Sequence, residues 1–369
     1  MKSKSSRRVP DNRPAIERLE DRRMLSVVTI GAGSPANTVS FQGSTVLSLS
    51  GPGDVTIPVP SSGVETSINA KRHTELLTDS NGLSVDTFSV TGTTAKSILK
   101  VKGMAELNSF TTSSPIGAII GPGILLEGGT MTLPPYQSNV SVTAGGGIGK
   151  LVLGTLFLCD VSISGAPAAK PMAITLGGFA RCTLATTLPI GSLVVQGGIG
   201  SSTIVLAGGA GPATDLGKLA ANQIDDSTIM SSGSIGSISA ASITNSEIYA
   251  GVTPADGATL PSTLGEFTSQ SSIGSIKIGS TPNGQTGDFN SAEIAAFSMG
   301  KVNLGTVDFL NNNGTPFGIA ATSIASLSGR NEFGVRFSLK RPTSQSAVTE
   351  QLSKEGLSLA GADLLISII

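Results

Sequence analysis

The sequence predicts an all-β fold: a single right-handed parallel β-helix, with an irregular N-terminal β cap and a short C-terminal helix or strand cap. Three observations predict it. An apolar residue followed by glycine recurs at Ile116-Gly117, Ile148-Gly149, Ile190-Gly191, Leu216-Gly217, Ile235-Gly236, Ile273-Gly274 and Met299-Gly300. A small residue with an aliphatic two places later recurs between these pairs, at Cys159-x-Val161, Cys182-x-Leu184, Ser202-x-Ile204, Ser227-x-Ile229, Ser246-x-Ile248 and Ala292-x-Ile294. The composition is rich in glycine (47 residues), lacks Trp and is only 13 % charged. The usual charged share is roughly 25 %, so the chain suits stacked β-structure better than solvated helices.

Ala173–Gly177 fits the first pattern as a degenerate member, and Ile324–Leu327 as the last. From Gly149 onward the anchors fall 24, 18, 26, 19, 38, 26 and 25 residues apart. A period near 25 with two short β-segments per period implies a coil of roughly eight to ten turns. One such turn cannot bury its aliphatic face alone, but a stack of turns places Ile on Ile. Glycine beside the aliphatic lets the chain bulge or turn a corner. A β-sandwich array should instead show hairpin turns every ~8–12 residues, which this pattern fits poorly. The interval of 38 residues holds Val252–Gln270 with Pro254, Gly257, Pro261 and Gly265. It reads as a loop inserted on one face, or as a poorly matched extra turn.

In chain order, residues 1–26 carry eight Lys or Arg against four Asp or Glu, a net of +4. The remainder nets −5, for a total of −1. This is a basic, Pro-containing head on a mildly acidic body, and it suggests a targeting segment. Residues 27–115 are β-like but irregular, as a terminal cap that meets solvent should be. The regular repeat occupies 116–329. Beyond Gly329 charge returns, and Ser344–Gly356 has helical spacing (Val348, Leu352), so 330–369 is read as a C-terminal cap that covers open strand edges.

The segment Leu19-Glu20-Asp21-Arg22-Arg23-Met24-Leu25-Ser26 resembles the N-terminal Leu-Glu-Pro-Arg-x-Leu-Leu sorting motif of planctomycete-type exported and cell-surface proteins with β-rich, repetitive bodies. The match lies on Leu19, Glu20, Arg22, Leu25 and Ser26. It departs at Asp21, where the family has Pro, and at Met24, where it often has Leu. The resemblance implies export and a place at the cell surface, outside the cell or in the periplasm.

Residues that could carry chemistry are sparse. His73 is the sole histidine, which excludes multi-histidine metal sites and makes any Ser-His-Asp triad depend on it. Ala144–Lys150 (AGGGIGK) is phosphate-loop-like, but Leu151 stands where Ser or Thr is needed, and Gly-Lys recurs at 217–218 and 300–301 within the repeat. Cys159 and Cys182 occupy equivalent places 23 residues apart. They are expected on adjacent strands, either as stacked thiols filling a small slot or as a disulfide favoured by export. Asp160, Asp225, Asp226, Glu247 and Glu293 fall near the second pattern, the place where β-helix lyases and glycosidases carry acidic residues. Here they are read as outward, solvated side chains.

The expected function is therefore non-enzymatic: an exported structural or adhesion-type protein, with no cofactor and no metal. Its partners are other surface proteins or polysaccharide. Nothing globally basic argues for nucleic acid, and no apolar run is long enough for a transmembrane helix. The alternative is a carbohydrate-binding or carbohydrate-cleaving β-helix protein, for which two Tyr and no Trp are poor equipment.

Overall fold

The computed structural model describes residues 27–31, 38–41, 46–50, 54–58, 65–69, 74–78, 83–103, 105–127, 140–165, 170–208, 213–253, 260–279, 289–311 and 314–369. Within them the protein is mostly β-strand, with predominantly parallel pairing and one α-helix, Gln345–Lys354.

The parallel strands form three ladders. The first runs through Ile98–Lys102, Ile116–Gly121 and the leading halves of Ile148–Phe157, Met172–Ala180, Ile190–Gly200 and Thr214–Asp225. It continues through Ser234–Ala240, Ser272–Ile278, Ser298–Val307 and Ser323–Asn331. The second runs from Leu83–Thr91 through Ala105–Thr112, Val140–Ala144, Cys159–Ile163, Thr183–Thr186, Thr203–Leu206 and Thr228–Ser231. Glu247–Ala250, Glu293–Ala296, Phe317–Ala321 and Leu364–Ile368 complete it. The third uses the trailing halves of the long first-ladder strands, with Ile124–Glu127, Ser242–Thr244 and Phe289–Asn290 as short members.

Alternation within each strand builds the core. In the first ladder Leu99, Ile119, Leu151, Ile174, Leu193, Leu219, Ile238, Ile276, Val302 and Leu327 pair in register, and all are buried. In the second, Phe110, Val142, Val161, Leu184, Ile204, Ile229, Ile248, Ile294, Ile319 and Ile366 do the same. Each such side chain contributes roughly 1.5–3 kcal/mol when fully withdrawn from water. Phe289 and Phe317 fill the interior further along, with ring centroids 5.8 Å apart.

The glycines of the first pattern stack on one another. A Cβ at Gly217 would stand 2.4 Å from the Gly191 carbonyl oxygen, and one at Gly236 would stand 2.3 Å from that of Gly217. The same contact would be 2.5 Å at Gly274 and 2.0 Å at Gly300. Glycine is required here by backbone-to-backbone approach, and none of these four has a positive φ. The column is interrupted at the degenerate repeat, where Met172, one residue before Ala173, pairs with Ile190. It also gives way to Ala325 at the last strand.

The corner leading into the second ladder uses a different device. Leu158, Arg181, Ser201, Asp226, Asn245 and Ser291 all have φ between 46° and 53°. Each immediately precedes the small residue of the second pattern: Cys159, Cys182, Ser202, Ser227, Ser246 or Ala292. Six non-glycine residues are thus held in the left-handed region, a conformation that costs L-residues about 1–2 kcal/mol each. Hydrogen bonding between neighbouring corners offsets that cost. Leu158, Arg181, Ser201, Asp226 and Asn245 each donate a backbone N–H to a carbonyl in the next repeat.

The ends differ from the middle. Toward the N-terminus antiparallel pairs dominate, and Val46–Ser50 pairs antiparallel with Ile98–Lys102 at the start of the first ladder. At the far end Arg336–Lys340 folds back antiparallel on Ser323–Asn331. The helix expected at 344–356 is found at Gln345–Lys354, with the Ser344 hydroxyl accepting from Ala347 N at 3.2 Å. Its buried Val348 and Leu352 pack inward. Its polar side chains close strand edges. Glu355, just past the helix, accepts from Ser338 N (2.9 Å), and Gln351 accepts from Lys340 N (2.7 Å).

Candidate functional site

Asp160, Glu247 and Glu293 lie in one outward column of the second ladder. Asp160, Thr183, Thr203, Thr228, Glu247 and Glu293 are successive register partners. Four strand steps separate Asp160 from Glu247, about 19 Å at ~4.8 Å per step. Only Glu247 and Glu293 are neighbours. Asp225 and Asp226 sit at the adjoining corner, where Asp225 accepts from the Thr244 hydroxyl and Asp226 from Ser201 Oγ at 3.0 Å. The five acids therefore do not converge, although Glu293 departs from the expected solvated state.

Glu293 is 7 % exposed, and its Oε2 accepts a 2.5 Å hydrogen bond from the hydroxyl of Tyr249, itself 3 % exposed. The cover comes from the long insertion, which lies over the outer side of the second ladder. Val252 and Leu260 cluster with Tyr249, Ala295 and Ala320, against which Phe267 also packs. Val252 bridges Phe267 antiparallel, and Phe267 meets Phe297 edge-on at 6.1 Å. Burial pushes the Glu293 carboxyl above the usual carboxylate range, against the opposing effect of the Tyr249 hydrogen bond, and neighbouring Glu247 adds to the rise. Burial likewise raises the Tyr249 hydroxyl and keeps it protonated. A carboxyl raised by burial beside a second carboxylate has the electronic character of a general acid. Here that carboxyl is roofed over and engaged by a tyrosine.

The sign of the linkage is checkable. A carboxyl whose folded pKa lies above its unfolded value adds stability below the unfolded pKa, and that stability is lost as pH rises through the folded value. Glu293→Gln keeps an acceptor for Tyr249 and removes the charge. Its thermal midpoint should exceed that of the parent at pH 7, by a few degrees, and the gap should close as pH falls toward 4. Melts across that range check this, and a gap independent of pH would exclude a titrating Glu293.

The two cysteines stack as expected for adjacent strands. Both are buried free thiols with sulfurs 3.4 Å apart. They begin a column of polar side chains along the left-handed corners. Cys159 N donates to Cys182 Sγ (3.4 Å), Cys182 N to Ser202 Oγ (3.1 Å), Ser202 N to Ser227 Oγ (3.1 Å) and Ser227 N to Ser246 Oγ (3.1 Å). Each acceptor returns its own hydrogen to the carbonyl two residues earlier: Ala180, Gly200, Asp225 and Thr244. With Cys182 donating to Ala180, Cys159 is the donor between the sulfurs. That hydrogen bond and burial raise the Cys159 thiol and keep it protonated.

Sequence reasoning missed Asp215, which is buried and accepts from Gly233 N (2.7 Å), Ser232 Oγ (3.0 Å) and Ser231 Oγ (3.2 Å). It pins one corner, and nothing in Thr214–Gly217 marks it in advance. The glycine-rich Ala144–Lys150 is scaffold: Ala144 ends a second-ladder strand, Gly149 joins the glycine stack, and Lys150 faces outward. His73 and the motif residues Leu19, Glu20, Arg22, Leu25 and Ser26 lie outside the described residues. Among the described residues no three His, Cys, Asp or Glu side chains group as metal ligands, and no helix is long and apolar enough to cross a membrane. No family model, curated protein or solved structure matches the chain.

Proposed function

We propose that the three ladders are the faces of one right-handed parallel β-helix, and that the protein is an exported, non-enzymatic structural or adhesion-type component of the cell surface. The observation that carries this reading is the column Asp160 to Glu293, in which three threonine-bearing strands separate Asp160 from Glu247 and Glu293, so that the acids do not gather in one cleft. Repeating strands with small and hydroxyl side chains outward offer extended surface more readily than a reaction site. The segment Leu19–Ser26 supports export by its resemblance to a sorting motif.

Fractionation of cells that express the full chain tests the location. The parent should appear in the outer fraction, and alanine at Leu19, Arg22 and Leu25 together should reduce that share at least tenfold. Equal outer fractions for both would refute the sorting role. The carbohydrate-cleaving alternative draws on the neighbouring Glu247 and Glu293 with the raised carboxyl of the latter. It requires the parent to release reducing ends from a polysaccharide and Glu293→Gln to abolish that release.

A further inference from the structure

The outer side of the first ladder is a basic face. Lys150, Ala173, Ser192, Lys218, Ser237, Ser275, Lys301 and Ser326 follow one another in a single outward column. The lysines recur every three strand steps, about 14 Å apart at ~4.8 Å per step. The adjacent outward column adds Lys100 and Lys277. All five lysines are exposed. Among the described residues, none of them is in an ion pair. The strand segments of this face carry a single acidic side chain, Asp215, which is buried and engaged by Ser231, Ser232 and Gly233. Among the strand segments of these two ladders, the exposed lysines therefore lie on the first and the exposed acids Asp160 and Glu247 on the second.

We infer that this face binds a linear polyanion of low charge density, an acidic polysaccharide, laid along the stacking direction with its carboxylates on Lys150, Lys218 and Lys301. Only Ala and Ser side chains stand between those lysines in the column, so a polymer can lie flat against it. The serine hydroxyls at 192, 237 and 275 are available to sugar hydroxyls. Nucleic acid is the poorer fit. Duplex DNA carries a charge every ~1.7 Å, and single strands are held by aromatic stacking. These strand segments contain neither an arginine nor an aromatic residue. The inference deepens the surface-protein reading, on which it rests for the source of the polymer.

The test uses the purified full chain with polygalacturonate as probe, dextran as the neutral polymer and duplex DNA as the competing polyanion. The chain should bind polygalacturonate at low salt and not dextran. The triple variant Lys150→Gln, Lys218→Gln, Lys301→Gln should keep the parent's thermal midpoint, since all three side chains are exposed. It should lose at least about tenfold in affinity and show a shallower dependence on salt, because fewer counterions are released. Lys354→Gln, on the C-terminal helix, should bind as the parent does. Unchanged affinity in the triple variant, no binding to polygalacturonate, or tighter binding to DNA would overturn the assignment. Binding in this assay by a protein that fails to reach the outer fraction would refute the location and leave the face standing.

Discussion

Gly236→Ala should destabilise the protein by about 3 kcal/mol or more, at the upper end of what forced overpacking costs. The added Cβ would stand 2.3 Å from the Gly217 carbonyl oxygen and 3.2 Å from its carbon. Both are backbone atoms of a ladder strand, so no side chain can swing aside. Any retreat of residue 236 moves its own carbonyl, which already lies 2.5 Å from where a Cβ on Gly274 would be. The clash therefore propagates along the column. Gly200→Ala supplies the contrast. That glycine lies in the strand Ile190–Gly200, with no atom within 4 Å of its built Cβ. Alanine there should be within about 0.5 kcal/mol of neutral. Denaturant or thermal unfolding of the two variants measures the difference, and equal midpoints would mean that stacking does not fix the glycine.

The second large effect is expected at the C-terminal cap. Leu352 is buried, and its helix lies against Arg336–Lys340 and Leu364–Ile368. Leu352→Asp places a carboxylate in that contact and should cost on the order of 4 kcal/mol locally, enough to detach the helix. Detachment would free Ser338 N and Lys340 N from Glu355 and Gln351. It would also uncover Leu364–Ile368, the terminal strand of the second ladder. Open strand edges template further pairing. Light scattering should show the variant in larger, concentration-dependent species than the parent. A variant with the parent's size distribution would mean that the helix does not guard these edges.

Parts of this architecture are legible in the sequence because they obey short periods. Ile235-Gly236 and Ser246-x-Ile248 announce themselves through period-two alternation inside a strand and a repeat of the same pair 19 residues earlier, at Leu216-Gly217 and Ser227-x-Ile229. The stacked cysteines follow from that register. The third ladder has no such signature, since members such as Ser242–Thr244 and Phe289–Asn290 are two or three residues long. The left-handed corners are equally silent. They are occupied by Leu, Arg, Ser, Asp and Asn, and the interactions that hold them are with the neighbouring repeat, not with their own sequence. The Tyr249–Glu293 pair joins residues 44 apart and depends on the insertion that covers it, so no local pattern foretells it. The antiparallel pairing toward the N-terminus is hidden for the same reason: strand direction is decided by partners, not by composition.

In the coil proposed above, the three ladders also set how the molecule would respond to load. Their hydrogen bonds point from one repeat to the next, so tension applied between the ends pulls along every bond of a repeat together. Once one repeat yields, it surrenders about 25 residues of chain. Its contour, at ~3.3 Å per residue, is roughly 80 Å, against the ~4.8 Å that it occupied in the stack. Such a body would be stiff at small extension and would then lengthen in large, discrete increments from an end, dissipating work at each one.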